Sequence, residues 1–356
     1  GNKIMEITII GRKSSGKTRL FSILTGLEYK QFLNEKQIGV AFVPDERIDK
    51  LSEYYKPKKT INAKVTFIDL PGVDKDEFYS SKRVAEYKNS DALIYLIPYF
   101  SGYTAESSLS IEDEIKRFED ESIISDLASV ETRVASLTRT MQKRKEKEDE
   151  IEMKLMQKLM TQLEAGKALR FLEFSEDEEI KLKGFSFLTL KPILFVVNID
   201  DEKINVINGI IKNLKDKFQA NHFYNFSFIS CDTEYDLMNM DKTERDEFLK
   251  ELNLQEDGRT RVLKDAFSLL DKICFFTVGE DEVRAWPIKR GTKAKEAAGQ
   301  VHTDIEKGFI RAEVFNYNDW DLYKSEEKIK EMKLFRLEMK DYVVKDGDIM
   351  HFRFNK

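Results

Sequence analysis

Short runs of apolar, often β-branched residues recur along the first two thirds of the chain, and helical spacings separate them. The runs at 5–10, 63–69, 91–97, 191–198 and 225–231 have the length and composition of buried strands. Strands that alternate with helical segments favour a parallel sheet. The pattern therefore predicts an α/β fold with a mainly parallel sheet.

A different pattern occupies residues 123–178. Its first part has apolar residues at alternating spacings of three and four, namely Leu127, Val130, Val134, Leu137 and Met141. Such spacing is a heptad seam. After a charged stretch at 142–150, apolar spacing resumes at Ile151, Leu155, Met156, Leu159 and Leu163. Two helical arms joined by a charged tip predict an antiparallel coiled-coil hairpin inserted into the α/β domain.

The C-terminal region has short strands, turns such as 345–348, and a short helical segment at 292–298. This pattern predicts a small α+β domain without a catalytic centre. The predicted division of the chain is 1–122 and 179–273 for the α/β domain, 123–178 for the hairpin, and 274–356 for the C-terminal domain.

Composition narrows the choice of partners. The chain has 356 residues, 35% of them charged, and a net charge of −6, so any contact with nucleic acid needs a local basic patch. Cys231 and Cys274 are the two cysteines, and no zinc spacing occurs. No apolar run has membrane-spanning length and no signal peptide is visible, so we expect a cytoplasmic monomer without membrane contact.

The loop after the first strand carries the most specific motif. Gly11, Gly16, Lys17 and Thr18 have the spacing G-x-x-x-x-G-K-T between a strand and a helix. The glycines permit a tight turn whose amide groups point at phosphate oxygens. Lys17 can reach the β- and γ-phosphates, and the Thr18 hydroxyl can bind Mg²⁺. The segment predicts a nucleotide-binding P-loop.

A second phosphate element follows the strand at 63–69. Asp69 ends this strand and can hold Mg²⁺ through water, while the amide of Gly72 can meet the γ-phosphate. Val73 stands where many GTPases carry the glutamine that orients water. Asn34 is the nearest polar substitute for the metal-binding threonine of the first switch. Slow hydrolysis is expected.

A base-binding loop is predicted after the strand at 191–198. Asn198, Ile199 and Asp201 overlay the pattern N-K-x-D, with Ile in place of Lys. Asp201 can accept hydrogen bonds from guanine, and Asn198 can tie this loop to the P-loop. The turn at Ser230 and Cys231 is expected to face the base or ribose.

Four C-terminal segments resemble the TGS domain of the YchF-type Obg-like ATPase family, namely Phe275–Trp286, Lys289–Thr292, Glu306–Val314 and Asp341–Phe354. The resemblance covers essentially the whole chain. It implies a G-domain with a helical hairpin and a C-terminal β-grasp (TGS) domain. Members of that family bind and hydrolyse ATP, often in preference to GTP, and associate with ribosomes.

The family's nucleotide-binding residues carry over onto Ser14, Ser15, Gly16, Lys17, Thr18 and Arg19, with Asn198 and Ile199 at the base. Three departures bear on catalysis. Ser14 replaces the asparagine of potassium-activated members, the second switch is charged and lacks the family's glycines, and residues 101–106 lack the family's histidine. The sequence identifies no catalytic residue.

The sequence is compatible with two functions. The first is a Mg²⁺-dependent purine-nucleotide hydrolase, with ATP favoured and GTP possible, that acts as a ribosome- or RNA-associated switch. The second is a nucleotide-sensing adaptor with little or no hydrolysis. The cations at the hairpin tip are either a solvated face or a contact for RNA or another acidic partner, namely Lys143, Arg144, Lys145 and Lys147. In the C-terminal domain an RNA-binding face would use Arg284, Lys289 and Arg290.

Overall fold

A computed structural model describes residues 5–30, 33, 35–71, 80–100, 110–144, 146–252 and 254–355. The chain divides into two compact units. The larger unit comprises Glu6–Gly39 and Phe67–Leu269; the smaller unit comprises Gly1–Met5, Val40–Thr66 and Leu270–Lys356. Neither unit is continuous in sequence. The predicted division into four segments stays a prediction.

The first sheet has six strands in the order β2-β4-β1-β5-β6-β7. Its strands are β1 (Glu6–Ile10), β2 (Gln37–Phe42), β4 (Lys64–Asp69), β5 (Ala92–Tyr99), β6 (Ile193–Ile199) and β7 (Tyr224–Ile229). The neighbours β1, β5, β6 and β7 pair in parallel. All seven residues of β6 are buried, as expected for a central parallel strand. The sheet confirms the predicted α/β fold, and it gathers the loops after β1, β5, β6 and β7 at one edge.

Nine helices of the described residues belong to the larger unit. They are α1 (Lys17–Thr25), α3 (Ser81–Lys88), α4 (Ile111–Lys143), α5 (Lys147–Glu164), α6 (Glu176–Leu182), α7 (Ile204–Lys217), α8 (Cys231–Leu237), α9 (Lys242–Glu251) and α10 (Gly258–Ser268). Within the described ranges, no helix combines the length and the apolar character needed to cross a membrane.

The predicted helical hairpin consists of α4 and α5. Both helices bury apolar side chains in one cluster, which includes Val130 and Leu137 from α4 and Leu155 and Leu159 from α5. Ile151, predicted to share this seam, is 44% exposed and is the fifth residue of α5, near the tip. Between the arms, the Arg133 guanidinium donates two hydrogen bonds to the Glu152 carboxylate, at 2.5 and 2.9 Å.

The smaller unit contains a second six-stranded sheet in the order β11-β10-β12-β8-β9-β3. Its strands are β3 (Lys59–Ile61), β8 (Lys272–Thr277), β9 (Glu282–Lys289), β10 (Phe309–Asn316), β11 (Arg336–Glu338) and β12 (Asp348–Phe354). Its helices are α2 (Glu46–Tyr55), α11 (Ala294–Val301), α12 (Thr303–Lys307), α13 (Tyr317–Tyr323) and α14 (Glu326–Glu331). Ala294 and Ala297 of α11 pack on the sheet against Phe275. The expected small α+β domain is present.

Residues 40–66 pack tightly within the smaller unit. The ring of Trp320, 1% exposed, lies 5.5 Å from the ring of Tyr54 and 6.4 Å from that of Tyr55. The Tyr55 hydroxyl donates to Glu326 at 2.5 Å. Strand β3 pairs in parallel with β9. These residues therefore contribute both a helix and an edge strand to this unit.

Candidate nucleotide-binding site

The P-loop joins β1 to α1, and its two glycines are required by close contacts. A Cβ atom on Gly11 would lie 2.7 Å from the Leu96 carbonyl oxygen. One on Gly16, whose φ is 99°, would lie 2.7 Å from Nδ2 of Asn198. Neither position admits a larger residue without movement of the backbone or of Asn198. The loop therefore has the compact turn that phosphate binding requires.

The loop contains polar groups that lack hydrogen-bond partners. The Ser15 hydroxyl is fully buried and has no hydrogen-bond partner among the described residues. The Lys17 side chain is also buried, and its Nζ donates to the Arg12 carbonyl oxygen at 3.2 Å. Burial lowers the pKa of Lys17, while the nearby Asp69 opposes this shift. An anion between these groups would satisfy them.

Asp69 lies at the carboxyl end of β4 and is fully buried. Neither carboxylate oxygen makes a hydrogen bond of normal geometry within the described residues. Burial raises the pKa of Asp69 to about 6, and the neighbouring Thr18 hydroxyl and Lys17 ammonium offset burial only partly. A buried carboxylate beside a hydroxyl is an oxygen donor set that suits Mg²⁺. Thr18 and Asp69 therefore fit the predicted metal site.

Asn198 connects the P-loop to the turn after β7. Its Nδ2 donates to the Ser15 carbonyl oxygen at 3.0 Å, and its Oδ1 accepts from the Cys231 amide at 3.1 Å. The predicted contact between Asn198 and the P-loop is present. One side chain thus fixes the distance between the phosphate end and the base end of the site.

Asp201 contacts other residues of the base loop. Its Oδ1 accepts from the Ser230 hydroxyl at 3.0 Å and from the Thr233 hydroxyl. Ser230 also caps α8, because its hydroxyl accepts from the Thr233 amide. Neither Asp201 nor Ser230 lines the adjacent cavity, whereas Ile199 and Cys231 do. One carboxylate oxygen of Asp201 is therefore already engaged.

The cavity at this edge of the sheet has a volume of about 650 Å³, within the usual range of ligand pockets. Its described lining residues are Lys13, Ser14, Gly16, Lys17, Thr18, Arg19, Tyr29, Leu33, Phe100, Asn198, Ile199, Cys231 and Asp232. The P-loop and the base loop thus open into one space.

Arg19, assigned to the phosphate by resemblance, lines the cavity and also contacts the helix that follows the base turn; its assignment stays a prediction. Its guanidinium pairs with Asp232 and lies 5.4 Å from the ring centre of Tyr29 and 5.3 Å from that of Tyr235. Sequence reasoning missed Tyr29, Leu33, Phe100 and Asp232. Asp232 directly follows the predicted Ser230–Cys231 turn, and that position was the available signal.

Helix α8 is tied to the P-loop helix through the start of α10. The Glu234 carboxylate accepts from the backbone amides of Gly258 and Arg259. Arg259 in turn donates to the carbonyl oxygens of Ile23 and Leu24 at the end of α1. Burial raises the pKa of Glu234 to about 7. The two helices that border the cavity are thus held by a common partner.

Several predicted positions lie outside the described residues. They are Gly72, Val73 and Asn34 around the phosphates, the segment 101–106, and Lys145 at the hairpin tip. Their assignments stay predictions.

Two family models match the chain. The model YchF-GTPase_C, described as a protein of unknown function, matches residues 272–355. The model MMR_HSR1, described as a 50S ribosome-binding GTPase, matches residues 6–153.

Full-length relatives agree with these matches. The chain is 33% identical to a protein of Escherichia coli O157:H7 named ribosome-binding ATPase YchF, with 98% of both chains covered. It is 34% identical to the Bacillus subtilis protein of the same name, again over 98% of each. The solved structure of the Schizosaccharomyces pombe YchF GTPase superposes with a TM-score of 0.84 and 26% identity, covering 99% of this chain and 98% of that one. The chain is a P-loop protein that belongs to the YchF family.

Proposed function

We propose that this protein is a slow, Mg²⁺-dependent purine-nucleotide hydrolase that prefers ATP and regulates a ribosome-associated step. The observation that carries the proposal is the cavity that joins the P-loop to the base loop through Asn198. The names of the E. coli and B. subtilis relatives, ribosome-binding ATPases, support the choice of nucleotide and partner.

The phosphate end would work by charge and position. Lys17 would leave the Arg12 carbonyl oxygen and donate to phosphate oxygens, together with backbone amides at the start of α1. Thr18 and Asp69 would hold Mg²⁺, and the bound ion would neutralise charge that develops on the phosphates. The Ser15 hydroxyl supplies a further buried donor beside this space.

The side chains around the cavity support the proposal of slow turnover. Among its described lining residues, no histidine, glutamine or glutamate is available to orient water. The lining carboxylate, Asp232, is paired with Arg19. Water positioning contributes a large part of catalysis in this class of enzyme, so its loss should leave a low basal rate.

The preference for ATP rests on the contacts of Asp201. Guanine recognition by a carboxylate uses two hydrogen bonds, from N1–H and from the 2-amino group. Oδ1 of Asp201 accepts from two hydroxyl groups of the protein. These bonds lower the advantage of guanine, which supports ATP as the preferred nucleotide, with GTP as a second ligand.

The second candidate function is a nucleotide-sensing adaptor without turnover, favoured by the same lack of a water-orienting group. Phosphate release from Mg²⁺-ATP, with and without ribosomes, separates the two. Release above that of Lys17→Ala under either condition supports the hydrolase. Nucleotide binding with no release above this control supports the adaptor.

Ribosome or RNA contact is proposed for the hairpin tip. Lys143, Arg144 and Lys147 are exposed there, and Arg144 lies 3.2 Å from the Glu146 carboxylate. A second face in the smaller unit would use Arg284, Lys289 and Arg290. Co-sedimentation with ribosomes, comparing wild type with a variant that carries Glu at all three described tip cations, tests the first contact.

A further inference from the structure

The smaller unit contains a second cavity, with a volume of about 470 Å³. It lies wholly within this unit. Its lining residues are Met5, Val40, Ile61, Asn62, Ala63, Lys64, Thr66, Lys272, Arg284, Ala285, Trp286, Pro287, Ile288, Lys289, Thr292, Glu296 and Gln300. Neither the nucleotide site nor the proposed RNA-binding face uses this space as a pocket.

The cavity exists because the edge strand β3 is shorter than its neighbour β9. Residues Lys59–Ile61 pair with Glu282–Arg284, and the chain then leaves the sheet. The rest of β9, Ala285–Lys289, is paired with β8 on one side only among the described residues. Its free side forms one border of the cavity.

The charge of the lining selects for an anion. Lys64, Lys272, Arg284 and Lys289 line the cavity together with one carboxylate, that of Glu296, and Arg284 also lies 3.8 Å from the Glu282 carboxylate outside the lining. The lining of the nucleotide pocket described above has three cations and one carboxylate, so the second cavity is at least as cationic. The Lys64 ammonium lies 5.2 Å from the centre of the Phe42 ring, and the Lys289 side chain is exposed. An anionic ligand would therefore gain charge-assisted hydrogen bonds here.

A flat, rigid surface adjoins these cations. The Arg284 guanidinium lies 3.9 Å from the centre of the Trp286 ring, and its side chain is 32% exposed. The indole N–H donates to the Thr277 hydroxyl at 2.9 Å, and the indole ring stacks with the ring of Phe275 at a distance of 6.2 Å between ring centres. The ring is thereby fixed. Because a guanidinium plane stacks well on aromatic rings, Arg284 offers a second planar surface to a ligand ring.

We propose that this cavity binds a phosphorylated small molecule that carries a planar ring, of the size of a nucleoside monophosphate. The phosphate contacts Lys64 or Lys289, and the ring lies on the Arg284 guanidinium, which is itself supported by the largely buried Trp286 ring. Glu296 and Asn62 supply an acceptor and a donor for the ring's polar edge. The site is separate from the P-loop and does not depend on nucleotide hydrolysis.

The test is isothermal titration of AMP into Lys17→Ala, the variant designed to weaken binding at the P-loop. Titration of UMP shows whether the ring must be a purine. We expect one AMP site, at least tenfold weaker after Arg284→Ala and after Lys289→Ala. Lys295→Ala is the matched control, because Lys295 is an exposed cation on α11 that does not line the cavity. AMP should also change Trp286 fluorescence in Trp320→Phe.

Three results would overturn the proposal. The first is no AMP binding at millimolar concentration. The second is binding that Arg284→Ala leaves unchanged. The third is binding of a short RNA without any binding of AMP, which would make the cavity part of an RNA surface. Circular dichroism of each variant excludes loss of the fold as the cause of weaker binding.

Discussion

The guanidinium of Arg12, in the P-loop, lies 2.7 Å from the carboxylate of Glu114, in the first turn of the helix that carries the hairpin arm. Both side chains are largely buried, at 14% and 7% exposure. The Tyr95 hydroxyl donates to the other Glu114 oxygen at 2.5 Å. The same Arg12 residue also binds Lys17 through its carbonyl oxygen. A short chain of contacts therefore links the phosphate-binding lysine to the arm.

We predict that Arg12→Leu destabilises the fold by about 3 kcal/mol, because it leaves the Glu114 carboxylate buried without its partner. The double variant Arg12→Leu/Glu114→Gln should recover part of this loss, since glutamine still accepts from Tyr95. Urea unfolding of both variants measures the difference. Equal stability of the single and double variants would show that the pair is not coupled.

The P-loop assignment predicts that Lys17→Ala weakens Mg²⁺-nucleotide binding severely. The lost charge-assisted contact is worth about 1.5–3 kcal/mol, which is roughly a tenfold to hundredfold change in affinity. Lys212→Ala, which removes an exposed cation on α7 outside the cavity, should bind as wild type does. Titration calorimetry compares them. Unchanged affinity of Lys17→Ala would contradict the site.

Asp69 should make the nucleotide-free protein less stable as the pH rises. Its pKa is about 6 in the fold against an ordinary value of 3.8, so the folded state favours the protonated form. Stability from this group is complete below about pH 4 and is lost through pH 6. Asp69→Asn removes the effect, and without Mg²⁺ it should be more stable than wild type at pH 8 by up to about 3 kcal/mol.

Urea unfolding with EDTA, at pH 4 and pH 8, measures this difference, which should nearly vanish at the lower pH. Mg²⁺ with nucleotide should stabilise wild type and have little effect on Asp69→Asn. A variant that is less stable than wild type at pH 8 without metal would contradict the assignment.

The base loop predicts the effect of Asp201→Asn. Because Oδ1 of Asp201 binds two protein hydroxyls, the substitution should change ATP affinity less than threefold and should not create a new preference. Side-by-side titrations of ATP and GTP measure this. A wild-type preference for GTP above tenfold that the substitution erases would mean that Asp201 reads guanine.

Structural features that depend on residues close together in the sequence could be predicted. The P-loop spacing, the apolar parallel strands and the heptad seam each depend on neighbours within one element. The Asn198 contact was also predictable, because its position after a buried strand brings it to the same sheet edge as the P-loop. Ile151 was misassigned, because periodicity alone does not show where, near the tip, the packed seam ends.

Contacts set by tertiary structure could not be predicted. The sequence does not show that the guanidinium of Arg19 pairs with Asp232, which lies 213 residues later in the chain. Likewise, no sequence pattern near Lys59–Ile61 indicates that this segment pairs with a strand more than two hundred residues later. A short exposed strand of three residues carries no periodicity from which its partner could be inferred.

Strand β3 pairs with β9, which is synthesised much later, and this order has a consequence during translation. Residues 59–61 leave the translating ribosome long before residues 282–284, which they pair with in the finished protein. At about 5–20 residues per second, the delay is roughly 10–40 s. During that time Tyr54 and Tyr55 have no Trp320 to cover them. The smaller unit therefore completes its fold only after the ribosome has translated its last strands. Until then, β3 in the nascent chain has no partner strand.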